Sequence, residues 1–285
     1  MFFQEAKTRQ EECATCDSQA GRQRDVRDTE LSGPTGDVAD RRLMGGIERK
    51  KMQLEKVASL RRARTLKFVA LLFDEDARRC GAMVDALFAD CGDPQKVAER
   101  LFEPAARVIG DSWCADELDF VKVTVAMSRM QRLFHRLTAE HRPTAASDMS
   151  RSVLLTAAPG EQHTFGLSVV EDAFRRSRWQ VDCGDFDREM DIYRSVAANS
   201  YRIIGISISG ERLLSDLTSM VSRLRSRSRN RSVVLMAGGS LITRNPQGAI
   251  NAGFDLLAID ASSAIALAEA VVTPGFATDM RIAAE

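Results

Sequence analysis

The stretch Glu161-Gln162-His163-Thr164-Phe165-Gly166 lies between an apolar run, Val153-Leu154-Leu155-Thr156, and a helix-like segment from Leu167 to Arg176. It sets a histidine in a loop at the carboxyl end of a strand, which is where open α/β sheets bind ligands. Histidine is also the commonest metal-binding side chain. Ser207-Ile208-Ser209 and Gly238-Gly239-Ser240 end or follow two later apolar runs and offer small, polar positions. Cys13-Ala14-Thr15-Cys16 is the one cysteine pair with ligand or redox spacing. It has no second pair or histidine near it and no βαβ pattern beside it, so two thiols in a polar tail is the plainer reading.

These residues must be positioned by a chain of 285 residues, 44% of them hydrophobic, which is long enough for two domains with modest cores. Forty basic and forty acidic residues cancel, so no global charge draws the chain to nucleic acid or to an anionic membrane. The apolar runs are strand-sized and short of the roughly 20 residues a membrane span needs. The start, Met1-Phe2-Phe3-Gln4-Glu5, lacks the features of a signal peptide, so a cytoplasmic location and no membrane contact are expected. The six cysteines are scattered, and in a reducing compartment most are expected to be free thiols.

Residues 1–45 are polar and interrupted by Ser32-Gly33-Pro34-Thr35-Gly36 and Gly45-Gly46, which predicts a disordered arm. From Arg41 to Lys67 basic residues face only Glu48 and Glu55, and Ile47, Leu54, Val57 and Leu60 give a thin apolar stripe. That describes a basic helix, either solvated or able to touch an acidic partner or a phosphate backbone. No helix-turn-helix pattern is present, so DNA contact is expected to be indirect or weak.

Residues 46–141 read as a four-helix bundle. Leu66, Val69, Phe73, Ala77, Cys80, Val84, Leu87 and Cys91 predict one long helix ended by Gly92. Asp93 as N-cap and Pro94 open the next, with Val97, Leu101, Ala105 and Val108 inward, a kink at Pro104 and an end at Gly110. A third helix starts near Asp116 and carries Val123, Met127, Met130, Phe134 and Leu137. Trp113, between these two, either plugs the bundle or lies against a flat ligand.

After a linker at 142–151, strand-like runs at Ser152 to Ala157, Gln180 to Cys183, Ile203 to Ile208, Val233 to Ala237 and Leu256 to Ile259 alternate with helix-like runs. The helical runs are 166–178, 187–199, 213–228, 244–252 and 262–272. The fold class is therefore α + α/β: a helical bundle followed, over 152–285, by a five-stranded doubly wound parallel sheet. In the order 2-1-3-4-5 the first and third strands meet at the topological switch point. His163, Ser207, Ser209 and Gly238-Gly239-Ser240 then line one crevice. No Gly-x-Gly-x-x-Gly or Walker lysine follows the first strand, which disfavours a dinucleotide or nucleoside triphosphate.

The pattern Glu161-x-His163-x-x-Gly166, Ser207-Ile208-Ser209, Gly238-Gly239 resembles the cobalamin-binding Rossmann-like domain of methionine synthase, corrinoid proteins and light-sensing regulators. Ser209 stands where that family usually has leucine. The resemblance implies that His163 is the lower cobalt ligand, with Glu161 fixing its far ring nitrogen. It also implies that Gly166, Ser207, Ser209, Gly238 and Gly239 form the slot for the nucleotide tail, with Gln162, Thr164, Phe165 and Ser240 alongside.

The helical half resembles the cap that accompanies this domain. In the adenosylcobalamin repressors a tryptophan is followed, after nine residues, by Glu-His; here Trp113 is followed at that spacing by Val123-Thr124. The run from Trp113 to Leu133 instead resembles the PpaA/AerR-type antirepressors of photosynthesis genes in purple bacteria. That resemblance implies a regulator, not an enzyme. It would take hydroxo- or adenosylcobalamin, respond to light or cofactor level, and act on a DNA-binding repressor. The open alternatives are a haem-binding antirepressor using the same histidine and a corrinoid carrier for methyl transfer.

Overall fold

The structure is a computed structural model that describes residues 39–273 apart from 75, 144–147, 162 and 185–187. Cys13, Cys16, Gln162 and residues 1–38 of the predicted arm lie outside the described residues. The chain divides into two compact units, residues 1–137 and 138–285.

The first unit contains α1 (Ala39–Phe73), α2 (Ala77–Cys91), α3 (Pro94–Val97), a π-helical turn (Ala98–Phe102), α4 (Glu103–Cys114) and α5 (Phe120–Glu140). Residues 39–45, expected in the arm, already belong to α1. The single helix expected over residues 66–91 is two, broken after Phe73. The buried stripe runs across the break, from Phe68, Val69 and Leu72 to Cys80, Val84 and Leu87, so periodicity gives no sign of it. Two carboxylates make the break. Asp74 accepts the Asp76 N–H at 3.0 Å and Asp76 accepts the Arg78 N–H at 3.1 Å, drawing backbone donors away from the helix. The carbonyl of Leu72 is satisfied by the Arg129 guanidinium at 2.8 Å, and that of Asp74 by the same group. Leu66, expected inward, is exposed.

Gly92 ends α2 in the left-handed region at φ +65°, and the Asp93 carboxylate caps α3 by accepting the Gln95 N–H at 2.9 Å. Pro104 does not end the helix. The wider π turn immediately before it accommodates the missing N–H and the ring, and the chain continues into α4. Nor does Gly110 end it: α4 runs on to Cys114 and takes Trp113 into its last turn. The next helix starts at Phe120, later than expected, because Asp119 supplies the cap by accepting the Lys122 N–H at 2.8 Å. Phe102 meets Phe68 and Phe134 edge to face, at 5.7 and 5.6 Å between centroids. Ala126, Met130, Phe134 and Leu137 are the buried positions of α5; Val123 and Met127 are only partly covered.

The second unit is built on β1 (Asp148–Ala157), β2 (Trp179–Cys183), β3 (Ile203–Ser207), β4 (Val234–Gly238) and β5 (Leu256–Leu257), all parallel in the order β2-β1-β3-β4-β5. This is the predicted topology. β1 begins at Asp148, inside the segment read as linker, and its register shifts between Asp148 and Ser152. Between the strands run α6 (Phe165–Arg176), α7 (Glu189–Ala198) and α8 (Leu214–Arg227), followed by α9 (Ser240–Arg244), α10 (Pro246–Asn251) and α11 (Ala261–Val272). The helix expected at 244–252 is α10, opened by Asn245, which accepts the Gly248 N–H at 2.9 Å; α9 is a further short helix just before it.

Both faces of the sheet are covered, which is why the strands read as continuous apolar runs. Val153, Leu155, Ile203 and Met236 pack with Leu167 and Phe174 of α6 and Ala264 and Ala268 of α11. Leu154, Ile204, Ile206 and Leu235 pack on the opposite face with Ile192 and Val196 of α7 and Leu217 and Leu224 of α8. Burial predicts the cost of truncation in the helical unit. Phe134→Ala, at a position 2% exposed, is expected to lose about 3–5 kcal/mol in denaturant unfolding. Phe120→Ala, at 57% exposed, is expected to lose less than about 0.5 kcal/mol.

Candidate functional site

Two loops at the carboxyl end of the sheet meet at one carboxylate. Glu161 lies in the β1–α6 loop, anchored by its own N–H to the Ala158 carbonyl at 2.9 Å, and Ala158 in turn donates to Ser207 at the end of β3 at 3.0 Å. The Glu161 side chain is 3% exposed. Its Oε1 accepts the His163 backbone N–H at 2.8 Å and faces His163 Nδ1 at 2.7 Å. Its Oε2 accepts the Ser209 N–H at 2.6 Å. Burial alone would raise the carboxyl pKa, but the hydrogen bonds from the His163 ring and backbone and from Ser209 override it and hold the group at about 2.

The geometry sets the histidine tautomer. An ionised carboxylate can only accept, so Nδ1 must carry the proton that faces it. In the neutral ring the lone pair is then on Nε2, and the His163 side chain is 58% exposed. A buried carboxylate holding one ring nitrogen while the other is accessible is the usual arrangement of a metal-ligating histidine. Among the described residues no group of three or more His, Cys, Asp or Glu side chains is placed to hold a metal ion. A histidine so held can serve as one ligand to a metal whose other ligands come with it, as in a corrin or porphyrin.

Beside the histidine is a row of small residues. Ala157, Ser207 and Gly238 are in-register partners across β1, β3 and β4. By strand alternation they share the α6 and α11 face with Leu155, Ile203 and Met236. Below the row that face is filled with apolar side chains; at the row it carries almost none. The Ser207 and Ser209 hydroxyls make no hydrogen bond among the described residues, so a polar ligand would find donors and acceptors there. A Cβ on Gly166, at the exposed start of α6, would meet nothing within 4 Å. The donor set, the small row and the open glycine fit a group with one axial position and an elongated polar tail.

Gly239 has a conformational reason of its own. It adopts φ +100°, and a Cβ there would lie 2.3 Å from the Ile208 carbonyl oxygen. This close approach joins the β3 and β4 ends, with Ile208 donating to Gly238 at 2.8 Å and Leu241 donating to Ile208 at 3.2 Å. Ser240 opens α9 and is exposed, its hydroxyl 3.5 Å from the Ser209 carbonyl. Thr164 is the N-cap of α6 without a side-chain cap bond, and Phe165 is buried. Trp113, Val123 and Thr124 belong to the helical unit. Trp113 and Val123 are half-buried, and the exposed Thr124 donates its hydroxyl to the Phe120 carbonyl at 2.8 Å. Sequence reasoning did not find Ser209 as a backbone donor to Glu161, nor Arg244, which donates to the Ser209 carbonyl. Neither contact depends on a side chain with a recognisable spacing.

The Glu161 arrangement makes a pH-dependent stability prediction. Its folded pKa is depressed, so the stabilisation is complete above the unfolded carboxyl value near 4.5 and is lost as pH falls toward about 2. Thermal melts between pH 6 and 2 should show the wild type losing roughly 2–3 kcal/mol more than Glu161→Gln. Equal pH profiles for the two proteins would contradict the assignment.

Comparison with known proteins agrees with this geometry. Residues 151–268 match the family model described as the B12 binding domain. The chain is 29% identical over 172 residues to an uncharacterized 20.5 kDa protein in the bchF-crtJ intergenic region of Rhodobacter capsulatus, covering 60% of this chain and 89% of that one. Among solved structures it is similar to the monomethylamine corrinoid protein of Methanosarcina barkeri. The TM-score is 0.60 and the identity 14%, over 71% of this chain and 96% of that one, a likeness of fold. Among the described residues no helix is long and apolar enough to cross a membrane. The histidine, its buried carboxylate and the small-residue row all lie inside the span of the sheet unit that is similar to the B12 binding domain.

Proposed function

We propose that the protein is a cobalamin-binding transcriptional regulator of the antirepressor type. It senses light, cobalamin or both, and controls photosynthesis or pigment genes by binding a DNA-binding repressor. The observation that carries the cofactor half of this reading is the Glu161–His163 pair, which fixes Nδ1 at 2.7 Å and leaves Nε2 as the ligating nitrogen of an exposed ring. The regulatory half is supported by the relative of Rhodobacter capsulatus, whose name sets it in a photosynthesis gene region. The resemblance of the Trp113 to Leu133 run to PpaA/AerR-type regulators supports it too.

When bound, cobalamin supplies the cobalt and the light-absorbing corrin. The chain's own residues do the rest. His163 would offer its Nε2 to the cobalt and Glu161 would hold its tautomer. Ser207 and Ser209 offer hydroxyls to the polar tail, Gly166 and Gly238 keep backbone close to it, and Gly239 holds the β3 and β4 ends together. In this reading residues 46–141 play the part of the cap, and Trp113, Val123 and Thr124 are its candidate cofactor contacts. The likeness of fold to a corrinoid protein favours a second reading, a carrier of methyl groups, which would accept a methyl group from a partner methyltransferase.

The test is an absorption spectrum of the purified protein with hydroxo- and with adenosylcobalamin, in the dark and after illumination. Binding should change the spectrum, and His163→Ala should abolish that change and weaken retention on gel filtration by at least about tenfold. No change, or one that survives His163→Ala, would overturn the ligand assignment. A Soret band in the purified protein, with indifference to cobalamin, would favour the haem reading.

A further inference from the structure

The stretch Arg223-Leu224-Arg225-Ser226-Arg227-Ser228-Arg229-Asn230-Arg231, from the end of α8 into the turn before β4, holds five arginines. No acidic residue occurs between Asp216 and Asp255, in a chain whose net charge is zero. Two of the five face carboxylates: Arg225 pairs with Asp255 at 2.7 Å, and Arg223 lies 3.9 Å from Glu189. Asp191, the other carboxylate of α7, is taken by Arg188 and Arg194.

The remaining three are held by neutral groups. The Arg227 guanidinium lies 5.3 Å from the centre of the Tyr193 ring. Arg229 donates to the Ala198 carbonyl at 3.0 Å and Arg231 to the Ser226 carbonyl at 2.9 Å. All three are exposed. Each is positioned, yet its charge is not neutralised and most of its donors are unused.

The turn that carries them is itself fixed. The Ser228 hydroxyl donates to the Asn230 carbonyl at 2.8 Å, the Asn230 side chain donates to the Tyr201 carbonyl at 2.8 Å, and Ser232 N–H returns to Asn230 Oδ1 at 3.0 Å. The Arg229 N–H donates to Val196 at 3.2 Å, pinning the turn to the end of α7. This is a rigid ridge of cationic forks, and holding them in advance lowers the entropy lost on binding.

We propose that this ridge docks on the phosphate backbone of double-stranded nucleic acid. The chemistry between the arginines selects that partner. A protein interface needs apolar or aromatic anchors at its centre, but no large exposed hydrophobic occurs between Met190 and Ile250 among the described residues. Arginine is among the side chains that contact phosphates, and the buried Ser228 and the engaged Asn230 serve to hold the three exposed arginines in place. Single strands are held by stacking on aromatic side chains, and the ridge exposes none. The contact reads no sequence and does not depend on cobalamin.

The test is fluorescence anisotropy of the full chain with a labelled 30-base-pair DNA duplex of arbitrary sequence, titrated across potassium chloride concentrations. The wild type should bind, with log affinity falling steeply against log salt. Arg227→Gln/Arg229→Gln/Arg231→Gln should reduce the slope by roughly 2 to 3, at about 0.9 per lost phosphate contact. Its unfolding midpoint, measured in parallel, separates lost contacts from lost fold, and the triple lysine variant should keep most of the slope. Arg61→Gln/Arg62→Gln/Arg64→Gln should leave the ridge contribution unchanged. The proposal is overturned if the wild type ignores the duplex at low salt, if the slope is unchanged in the ridge variant, or if only the α1 variant loses it. Binding of polyglutamate with no binding of duplex would assign the ridge to an acidic protein and overturn it equally.

Discussion

A buried carboxylate that accepts hydrogen bonds from two separate loops is the constraint on which the rest of the site depends. Glu161 takes the backbone N–H of His163 within its own loop and that of Ser209 from the end of β3. Leaving such a group buried without these donors would cost more than any one of them contributes, so the two loops are held in register by the need to satisfy it. The same charge orients the imidazole. Position, tautomer and loop closure of the histidine therefore have one cause.

The sheet supplies the frame for that cause. The order β2-β1-β3-β4-β5 brings the ends of β1 and β3 together, which a carboxylate one side chain long needs in order to span them. Gly239 brings β4 into the same cluster by letting its backbone rest against Ile208. With Ala157, Ser207 and Gly238 in register, the face toward α6 and α11 changes from large apolar side chains to small residues within one row. A histidine nitrogen beside a row of small residues would suit a bound corrinoid, in keeping with the similarity of residues 151–268 to the B12 binding domain.

The sheet was legible in the sequence because each strand, buried on both faces, is a short apolar run bounded by turn residues. The histidine loop was legible because its chemistry is local: Glu161 and His163 are two residues apart and touch. Other features were hidden for physical reasons. The break between α1 and α2 leaves the hydrophobic period intact and depends on Asp74 and Asp76 withdrawing backbone donors, so periodicity runs straight through it. Pro104 is accommodated by a π turn that no residue type announces. The Ser209 contact uses a backbone N–H, which any residue but proline could supply, and so left no mark in composition or spacing. Gly239 was visible as a glycine, but whether it served ligand or chain was not, until its positive φ and its approach to Ile208 were known.

That a nitrogen of this protein, that of His163, would ligate the cobalt of a bound cobalamin is the central proposal. Electron paramagnetic resonance of the Co(II) form, with the protein uniformly labelled with nitrogen-15 and the cofactor unlabelled, tests it directly. A protein nitrogen on the metal splits each cobalt line into a doublet, whereas the cofactor's own benzimidazole nitrogen gives a triplet. The account predicts the doublet. A triplet that persists in the labelled protein would show that the cofactor keeps its own base, and would contradict the role assigned to His163 and to the carboxylate behind it.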